Sequence, residues 1–298
     1  MKKKLILAAV LAVVCLAAAA RPRPKHVVFI GVDGWSVAEF SAELMPFTAS
    51  LKDEAAWTFN KRTVIPTSSG INWESLFTAT PPEYHGYTKW NSTSPDFDQV
   101  TSSGRDDIPT FFRLLREKEP HAEIAAFYQW KTIHTLVDST AVNDLRFFEE
   151  SVQGDDAEVE AACAYLKEKK PRLALFYFGT LDHTGHTYGW KSDEYRAYLT
   201  QIDKCIAGII QGIKDAGLEK DTVVILTTDH GGNKKSHGGQ WVNDVMRTPL
   251  FIWGKGVRAG YEMQGHAIQM DIPATICWLY GIKPLDNWTG KALKEAFR

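Results

Sequence analysis

The segment HVVFIGVD, residues 26–33, is an unbroken apolar run that ends in an aspartate. Such a run predicts a strand that is covered on both faces, as in a parallel sheet. Similar patterns predict strands at residues 57–65, 122–130, 172–180, 221–229 and 248–254, and helices at 42–56, 72–78, 108–120, 156–170, 192–216 and 271–282. Because strands alternate with helices, we expect an α/β fold with a mostly parallel central sheet and helices on both faces.

Residues 1–20 predict a secretory signal peptide. Three lysines precede an apolar run over residues 5–20, which ends in small residues and is short for a membrane span. We expect cleavage near Ala20, a periplasmic or secreted protein, and one domain over residues 21–298. An uncleaved membrane anchor is the alternative. Cys15 does not favour a lipoprotein, because Val14 stands where a small residue is expected.

The charge and the cysteines exclude some classes of function. Loss of the three N-terminal lysines would change the formal net charge from −2 to −5, which gives no support to nucleic-acid binding through a basic surface. Cys163, Cys205 and Cys277 would remain, and no CxxC motif is present. We expect buried thiols, and one disulfide with a leftover thiol stays open. No segment after residue 20 predicts a membrane span, and the sequence does not indicate an oligomeric state.

Ligand-type side chains follow three of the predicted strands, at the ends where parallel α/β sheets bind ligands. They are Asp33 after the first strand, Asp182, His183 and His186 after the strand at 172–180, and Asp229, His230 and His237 after the strand at 221–229. Asp182 and His186 would share one face of a helix, and His183 would point elsewhere. A lone aspartate at a strand end usually caps a helix or forms a turn, so only the joint pattern predicts a metal site. The mixture of Asp and His suits two divalent cations roughly 3.5–4 Å apart, zinc first and manganese as the alternative.

The segment PTSSGINW, residues 66–73, places Thr67, Ser68 and Ser69 in a row. Such a run usually marks a turn or the start of a helix. It can also present a nucleophilic hydroxyl. The stretch by itself leaves open which of the three does chemistry.

In this order, the motifs resemble the alkaline phosphatase superfamily, and in particular its type I phosphodiesterase/nucleotide pyrophosphatase branch. They are FIGVDG at 29–34, PTSSGINWESLFTATPPEYHG at 66–86, LDHTGH at 181–186, TTDHGG at 227–232 and SHGG at 236–239. The segments at 249–257 and 270–282 resemble the end of the same core. The resemblance implies an alkaline phosphatase-like catalytic domain over residues 21–298.

The resemblance also implies roles for individual residues. Asp33, Asp229 and His230 match the ligands of one metal, which also binds the nucleophile, and Asp182, His186 and His237 match the ligands of the other. In this branch Asn follows the nucleophile at +3 and His-Gly at +16 and +17, so Asn72 and His85 both indicate Ser69. A cation would activate the serine hydroxyl, and the Asn72 amide would donate to a phosphoryl oxygen.

Two positions depart from the branch, which usually has Lys and an aromatic residue where this chain has Ser68 and Gly70. Trp35, Trp73 and Trp90 are candidates for the missing stacking surface, with burial in the core as the alternative for each. The polar segment 88–106 predicts a loop near the site, from which Lys89 or Arg105 could reach a phosphate.

The expected function is therefore that of an exported two-metal hydrolase of phosphate esters. A diester or pyrophosphate substrate is favoured, such as a nucleotide-type small molecule, with a covalent phosphoseryl intermediate on Ser69. The alternatives are a phosphomonoesterase of the same superfamily, a transferase that moves phosphoryl groups on membrane glycans, and a non-catalytic relative that binds a ligand.

Overall fold

The computed structural model describes residues 21–239 and 241–298, so the predicted signal peptide lies outside the described residues. The strands are β1 (His26–Val32), β2 (Ala55–Arg62), β3 (Ile124–Tyr128), β4 (Asp144–Phe147), β5 (Leu173–Phe178), β6 (Thr222–Thr227), β7 (Arg247–Gly254) and β8 (Tyr261–Glu262). The α-helices are α1 (Pro46–Ser50), α2 (Ser69–Thr78), α3 (Pro82–His85), α4 (Phe111–Lys118), α5 (Ile133–Leu136), α6 (Val152–Lys169), α7 (Thr180–Tyr188), α8 (Asp193–Asp215), α9 (Asn243–Met246) and α10 (Asp271–Tyr280). Short 3₁₀ turns lie at Val37–Glu39, Leu51–Asp53, Ser139–Ala141, Glu219–Asp221 and Lys294–Ala296.

The described strands form one sheet in the order β4-β3-β5-β1-β6-β7-β2-β8. β4, β3, β5, β1 and β6 are mutually parallel, whereas β7 runs antiparallel to both β6 and β2. The predicted α/β fold with a mostly parallel sheet is confirmed. Since β5, β1 and β6 are neighbours, the residues that follow these three strands emerge side by side.

The central strand β1 explains why helices cover both faces of the sheet. Val27 and Phe29 point into one buried cluster with residues of α2, α4 and α10, whereas Val28 and Ile30 point into a second cluster with residues of α6 and α8. All four side chains are at most 1% exposed. Burial of each such side chain contributes about 1.5–3 kcal/mol, so both faces of β1 stabilise the fold.

The predicted helix at 42–56 is wrong. The chain there forms the short helix α1 and a 3₁₀ turn, and β2 already begins at Ala55. Pro46 can begin a helix but cannot lie inside one, and Ala55 and Ala56 pair with Trp253 and Ile252 of β7. Pairing with β7 therefore makes Ala55 and Ala56 part of a strand, although alanine by itself favours a helix.

Other differences concern element boundaries and short edge strands. Helix α2 begins at Ser69 rather than at residue 72, which makes the serine the first helical residue. The edge strands β4 and β8 were not predicted, because one is short and polar and the other has only two residues. The predicted loop at 88–106 is free of helix and strand.

The cysteines of the described region are free. Cys205 and Cys277 are buried and Cys163 is partly buried, so the expectation of buried thiols is confirmed for the first two. Among residues 21–239 and 241–298, no helix is both long and apolar enough to span a membrane.

Candidate active site

The carboxyl ends of β5, β1 and β6 bring together the acidic and histidine residues that the sequence singled out. Asp33 follows β1 directly, and Asp182 and His186 lie one turn apart on α7, which follows β5. Asp229 and His230 follow β6. His237 joins them from the next loop, with its Nε2 atom 3.1 Å from His186 Nε2.

Backbone carbonyl groups fix the orientation of the three histidines. Each Nδ1 atom lies within hydrogen-bond distance of a carbonyl oxygen, which belongs to Lys235 for His186 (3.0 Å), to Gly231 for His230 (2.9 Å) and to Thr67 for His237 (2.6 Å). Because a carbonyl oxygen can only accept, Nδ1 carries the proton in each ring. The Nε2 lone pairs are therefore available to a metal, as in many metal centres.

Three buried carboxylate oxygens in the site have no hydrogen-bond partner in the described residues: Asp33 Oδ1, Asp182 Oδ1 and Asp229 Oδ2. His230 Nε2 lies 3.1 Å from Asp229 Oδ2 and 3.6 Å from Asp33 Oδ1. Acceptor atoms that face each other at these distances repel unless a cation or a proton lies between them. The arrangement therefore fits divalent cations.

Two groups of ligand atoms have the spacing that a metal ion requires. One consists of Asp182, His186 and His237, and the other of Asp33, Asp182 and His230, with all atoms of a group within 4.8 Å of one another. The first group equals one ligand set implied by the resemblance. The second shares two residues with the other set, and the missing member, Asp229, contacts His230 directly.

Burial shifts the protonation of this cluster when no cation is present. It raises the pKa of Asp33 and Asp182 well above the usual range and raises the pKa of Asp229 to about 7. It lowers the pKa of His230 well below its usual value and the pKa of His237 to about 4. The raised pKa values of the carboxyl groups and the lowered pKa values of the histidines both favour the neutral forms. A bound cation would lower the pKa of the carboxyl groups again.

The structure separates the three consecutive hydroxyl groups. Ser69 is the first residue of α2, and its Oγ atom lies 3.1 Å from His230 Nε2. Thr67 is fully buried, and its Oγ1 atom donates to the carbonyl oxygen of His237 at 2.5 Å. Ser68 is the N-cap residue, without a side-chain cap hydrogen bond. Of the Thr67 and Ser69 hydroxyls, only that of Ser69 contacts a candidate metal ligand side chain.

Asn72 does not occupy the place expected for a phosphoryl-binding amide. Its side chain is 0% exposed, and its Nδ2 group donates to the carbonyl oxygens of Pro66 and Ser68, each at 3.1 Å. Its Oδ1 atom accepts from the Val64 N–H at 2.8 Å and from the hydroxyl of Thr63. Position 72 lies one turn into α2 and faces the end of β2, and its amide holds the segment before Ser69 by these hydrogen bonds.

Trp35 and Trp73 are core residues, and neither is available to stack on a substrate. Both are 0% exposed, and Trp35 lies nearly parallel to Phe251, with 6.2 Å between ring centroids. Trp73 donates from Nε1 to Asp33 Oδ2 at 2.9 Å, and the Tyr177 hydroxyl donates to the same oxygen. These two hydrogen bonds fix the orientation of the Asp33 carboxylate through Oδ2, and its Oδ1 atom remains available to a metal ion.

Trp90 is the one of the three tryptophans that lines the candidate site. A cavity of about 480 Å³ is lined by the buried residues Asp33 and Ser69 and also by Trp90 and Trp130. Trp90 is 58% exposed, and its ring lies 6.2 Å from that of Trp130 with 19° between the planes. The sequence reading missed Trp130 and Glu150, which also line the cavity and follow β3 and β4.

Gly70 departs from the family pattern for a steric reason. A Cβ atom at this position would lie 2.5 Å from the carbonyl oxygen of Trp90 and 2.8 Å from that of Lys89. The Gly70 N–H donates to the Trp90 carbonyl at 3.0 Å. The loop backbone therefore fills the space that an aromatic side chain would need, and the loop supplies an aromatic ring of its own.

The lysine and arginine side chains of the loop at residues 88–106 do not reach the site. Lys89 Nζ pairs with Asp96 at 2.6 Å, and Arg105 binds both carboxylate oxygens of Glu117 at 2.9 and 2.6 Å. Both charges are neutralised on the surface. Neither side chain lines the cavity, so the phosphate-holding role considered for them is wrong.

A buried lysine behind the cluster was also missed. A bulge in β2 between Thr58 and Lys61 breaks the pairing register, and the Lys61 side chain is 0% exposed. Lys61 Nζ donates to the Thr228 carbonyl at 2.9 Å and to the side chain of Gln269. Burial lowers the pKa of Lys61 to about 7.

Gln269 connects the nucleophile helix to the metal cluster. Its Nε2 group donates to Asn72 Oδ1 at 3.1 Å and to the carbonyl oxygen of Asp229. No periodicity or motif distinguishes this residue in the sequence.

Comparisons with known proteins identify a family and several relatives. A model of the type I phosphodiesterase/nucleotide pyrophosphatase family matches residues 27–267. Mouse ectonucleotide pyrophosphatase/phosphodiesterase family member 1 is 26% identical over 198 residues, which are 63% of this chain and 22% of the mouse protein. GPI ethanolamine phosphate transferase 1 of Aspergillus oryzae is 36% identical over 180 residues, 57% of this chain and 17% of that protein. The chain thus spans about a fifth of the length of these curated relatives.

Solved structures show the same fold. Murine ectonucleotide pyrophosphatase/phosphodiesterase 5 in complex with AMP superposes with a TM-score of 0.72 at 13% identity, over 92% of this chain and 100% of that one. A 2-O GAG sulfatase also gives a TM-score of 0.72, at 14% identity, over 92% of this chain and 74% of that one. The family match covers most of the chain, so we conclude that the protein is a member of the type I phosphodiesterase/nucleotide pyrophosphatase family.

Proposed function

We propose that this protein hydrolyses phosphate esters with two divalent cations and with Ser69 as the nucleophile. The observation that carries the proposal is the position of Ser69 Oγ. It lies at the start of α2, 3.1 Å from His230 Nε2 and beside a cluster of carboxylate oxygens that lack partners in the described residues. Family membership supports the same activity.

The residues of the cluster fit cations of the zinc type. Asp33, Asp229 and His230 would hold one, and Asp182, His186 and His237 the other. Carboxylate and imidazole ligands suit zinc, with manganese as the alternative. When bound, such cations neutralise charge on the reacting oxygens and make a serine hydroxyl more acidic.

The chain itself supplies the nucleophile and its orientation. A bond forms between Ser69 Oγ and phosphorus, the hydroxyl proton passes to solvent, and the ester P–O bond breaks. The alcohol leaves with the bonding electrons and takes up a proton from water. Water then attacks the phosphoseryl phosphorus, the bond between phosphorus and Ser69 Oγ breaks, and Oγ takes up a proton from water while the attacking oxygen stays on the phosphate. Because Ser69 begins α2, the positive end of the helix dipole faces the phosphoryl group throughout.

The absence of cationic side chains among the described residues that line the cavity favours diesters over monoesters. No lysine or arginine is among the described residues that line it. A monoester dianion is usually held by arginine or lysine, whereas a diester carries one charge on its phosphorus. We expect bis-p-nitrophenyl phosphate to be hydrolysed faster than mono-p-nitrophenyl phosphate. A strong preference for the monoester would support the phosphomonoesterase alternative.

Replacement of the nucleophile tests the proposal most directly. Ser69→Ala should lower kcat on bis-p-nitrophenyl phosphate by at least about 1,000-fold, because the variant lacks the hydroxyl that lies 3.1 Å from His230 Nε2. Ser68→Ala is the matched control and should stay within a few-fold of the wild type. Full activity of Ser69→Ala would refute the assignment, and a protein that binds no divalent cation on elemental analysis would support the non-catalytic alternative.

Transfer to an alcohol is the second candidate, favoured by the 36% identity to the Aspergillus oryzae ethanolamine phosphate transferase. The two reactions share the Ser69 step and differ in the acceptor that attacks the phosphoseryl group. Product analysis with and without an added alcohol separates them. A product ester that exceeds the share expected from the alcohol concentration would indicate a transferase.

We also propose that the protein is exported after cleavage near Ala20. The three lysines and the apolar run of residues 5–20 support this proposal. Mass spectrometry of the mature N-terminus, together with cell fractionation, tests it. An intact N-terminus in a cytoplasmic fraction would contradict it.

A further inference from the structure

Helix α7, which carries Asp182 and His186, has no capping side chain of its own. Its N-cap residue is Gly179, and the first N–H groups of a helix have no partner within the helix. A Cβ atom at position 179 would lie 3.0 Å from Glu150 Oε1 and 3.3 Å from Tyr177 Cε1. The usual capping residues Ser, Thr and Asp do not fit there unless these neighbours move, so the cap must come from another part of the chain.

Gln129 provides this cap from the neighbouring strand. It follows β3 directly, and β3 pairs in parallel with β5, the strand before α7. Its Oε1 atom accepts from the Gly179 N–H at 2.8 Å, from the Thr180 N–H at 3.3 Å and from the Thr180 hydroxyl at 3.0 Å. Gln129 is 1% exposed, so the cap is buried.

Asp155 fixes the direction of the Gln129 amide. Because backbone N–H groups can only donate, the atom that faces α7 is Oε1, and Nε2 points the other way. There Nε2 donates to Asp155 Oδ1 at 2.7 Å. The Thr180 hydroxyl lies 3.1 Å from the same oxygen, and the Tyr198 hydroxyl donates to Oδ2 at 2.5 Å. Asp155 is 0% exposed and thus links β3, α6, α7 and α8 in one buried network.

The start of α7 determines where Asp182 lies. Asp182 is the third residue of the helix, and a Cβ atom at Gly34 would lie 2.9 Å from its Cα atom. The helix therefore has no room to move closer to the segment after β1, and the bonds to Gln129 resist movement away from the strand ends. Such a movement would take the Asp182 carboxylate out of both groups of ligand atoms, whose members all lie within 4.8 Å of one another.

We infer that Gln129 is a positioning residue of the metal centre and that Asp155 orients its amide. The inference rests on the proposed two-cation function and goes beyond it, because neither residue is a candidate ligand. Loss of a group that orients a metal ligand typically costs about 10–100-fold in metal affinity. A loss of this order is expected here because Asp182 belongs to both groups of ligand atoms.

The zinc affinity of two variants, measured in competition with a chromophoric chelator, tests the inference. Gln129→Met keeps the length of the side chain but removes the acceptor, so its zinc affinity should fall by about 10–100-fold. In Gln129→Glu combined with Asp155→Asn, donor and acceptor exchange places between the two side chains, and an acceptor still faces α7. This double variant should stay within a few-fold of the wild type. Zinc affinity as low as that of Gln129→Met would overturn the positioning role.

Thr110→Val is the matched control, because it removes the cap of a helix that carries none of the candidate ligands. The Thr110 hydroxyl oxygen caps α4 by accepting from the Arg113 N–H at 3.3 Å, and Thr110 does not line the active-site cavity. The substitution should lower the unfolding temperature by a few degrees and leave the zinc affinity unchanged. An equal loss of zinc affinity in Thr110→Val would overturn the inference in favour of a general loss of stability.

The outcomes distinguish this inference from the proposed function. If Gln129→Met binds zinc as tightly as the wild type does, the inference is refuted while Ser69 chemistry stands. If Gln129→Met binds zinc more weakly, excess zinc should return its turnover towards the wild-type value, because Ser69 is unchanged, and no such recovery is expected for Ser69→Ala. Weak zinc binding without any recovery would overturn the positioning role. If the wild type binds no zinc, the proposed function fails and the inference fails with it.

Discussion

The inner and outer parts of the cavity are built in opposite ways. In the inner part, each histidine is fixed by a carbonyl group, and Asp33 is held by donors from Trp73 and Tyr177. In the outer part, which consists of Trp90, Trp130 and Glu150, Trp90 is 58% exposed, and the Glu150 carboxylate lies 3.9 Å from its ion-pair partner His183. The inner part is held by hydrogen bonds within the protein, whereas the outer part contains a largely exposed aromatic ring.

This difference indicates which residues can be substituted without loss of catalytic activity. Groups that stabilise a transition state must be held in place in advance, because reorganisation during the reaction costs activation energy. Groups that recognise a substituent can be mobile, and they lie on loops that tolerate change. We therefore expect changes in the inner part to abolish turnover and changes in the outer part to alter substrate choice.

The largest expected effect is that of Asp182→Asn. Asp182 contributes to both groups of candidate ligand atoms, and its Oδ1 atom has no hydrogen-bond partner in the described residues. The substitution keeps the shape and removes the charge that divalent cations require. We expect loss of bound cation on elemental analysis and a fall in kcat/KM of at least about 1,000-fold.

The matched control for this change is Asp193→Asn on α8. Asp193 is fully exposed and forms a long ion pair with Arg196 at 3.7 Å. It should retain wild-type cation content and activity. An Asp182→Asn protein that still holds two cations per chain would show that the inner part is not the metal centre.

The strand-end rule predicted the inner part well, because ligand-type residues follow β1, β5 and β6 directly in the sequence. The same rule could have found Trp130 and Glu150. It missed Glu150 because β4 is a short polar strand with no apolar run to reveal it. It missed Trp130 because the predicted strand at 122–130 included that residue, whereas β3 ends at Tyr128. The hydrogen-bond partners of Asn72 could not be predicted for another reason: sequence spacing does not tell which neighbour a helical side chain faces.

The second prediction concerns Gly70→Ala. Gly70 lies at the contact between helix α2, which carries Ser69, and the loop that carries Trp90. The added Cβ atom would lie 2.5 Å from the carbonyl oxygen of Trp90, so the loop backbone must move. We expect KM for bis-p-nitrophenyl phosphate to rise by roughly 5–10-fold while the cation content stays unchanged, because the loss of one aromatic contact is of this size.

Gly104→Ala in the same loop separates this effect from general loss of stability. Gly104 has a φ of +78° and no atom within 4 Å of an added Cβ. The substitution should lower the free energy of unfolding by about 1–2 kcal/mol and leave KM as it is. A similar KM change in both variants would indicate that loop strain, not the position of Trp90, is responsible.

The smallest expected effect on turnover is that of Glu74→Gln. Glu74 lies on α2 with Ser69, is 4% exposed and does not line the active-site cavity. Burial raises its pKa from 4.5 to about 8, and Arg113 offsets this only in part. Its carboxyl group is therefore protonated in the folded protein at a pH where the unfolded chain has released the proton.

The sign of the stability effect follows from linkage. Glu74 favours the folded state fully below about pH 4.5, and this contribution is lost as the pH rises towards about 8. The free energy of unfolding of the wild type should fall by a few kcal/mol more than that of Glu74→Gln between pH 5 and 8, at about 1.4 kcal/mol for each unit of pKa difference. Urea unfolding of both proteins measures this, and parallel pH profiles would contradict it.

The contact between Gly70 and the Trp90 carbonyl has a consequence for divergence within the family. A relative that acquires an aromatic residue at position 70 must also reroute the loop at residues 88–91, and a loop that moves away leaves a gap at the start of α2. We therefore expect these two segments to be exchanged as a pair during evolution. Engineering of a nucleotide-selective variant should accordingly graft both segments together, because either graft by itself places backbone and side chain in the same space.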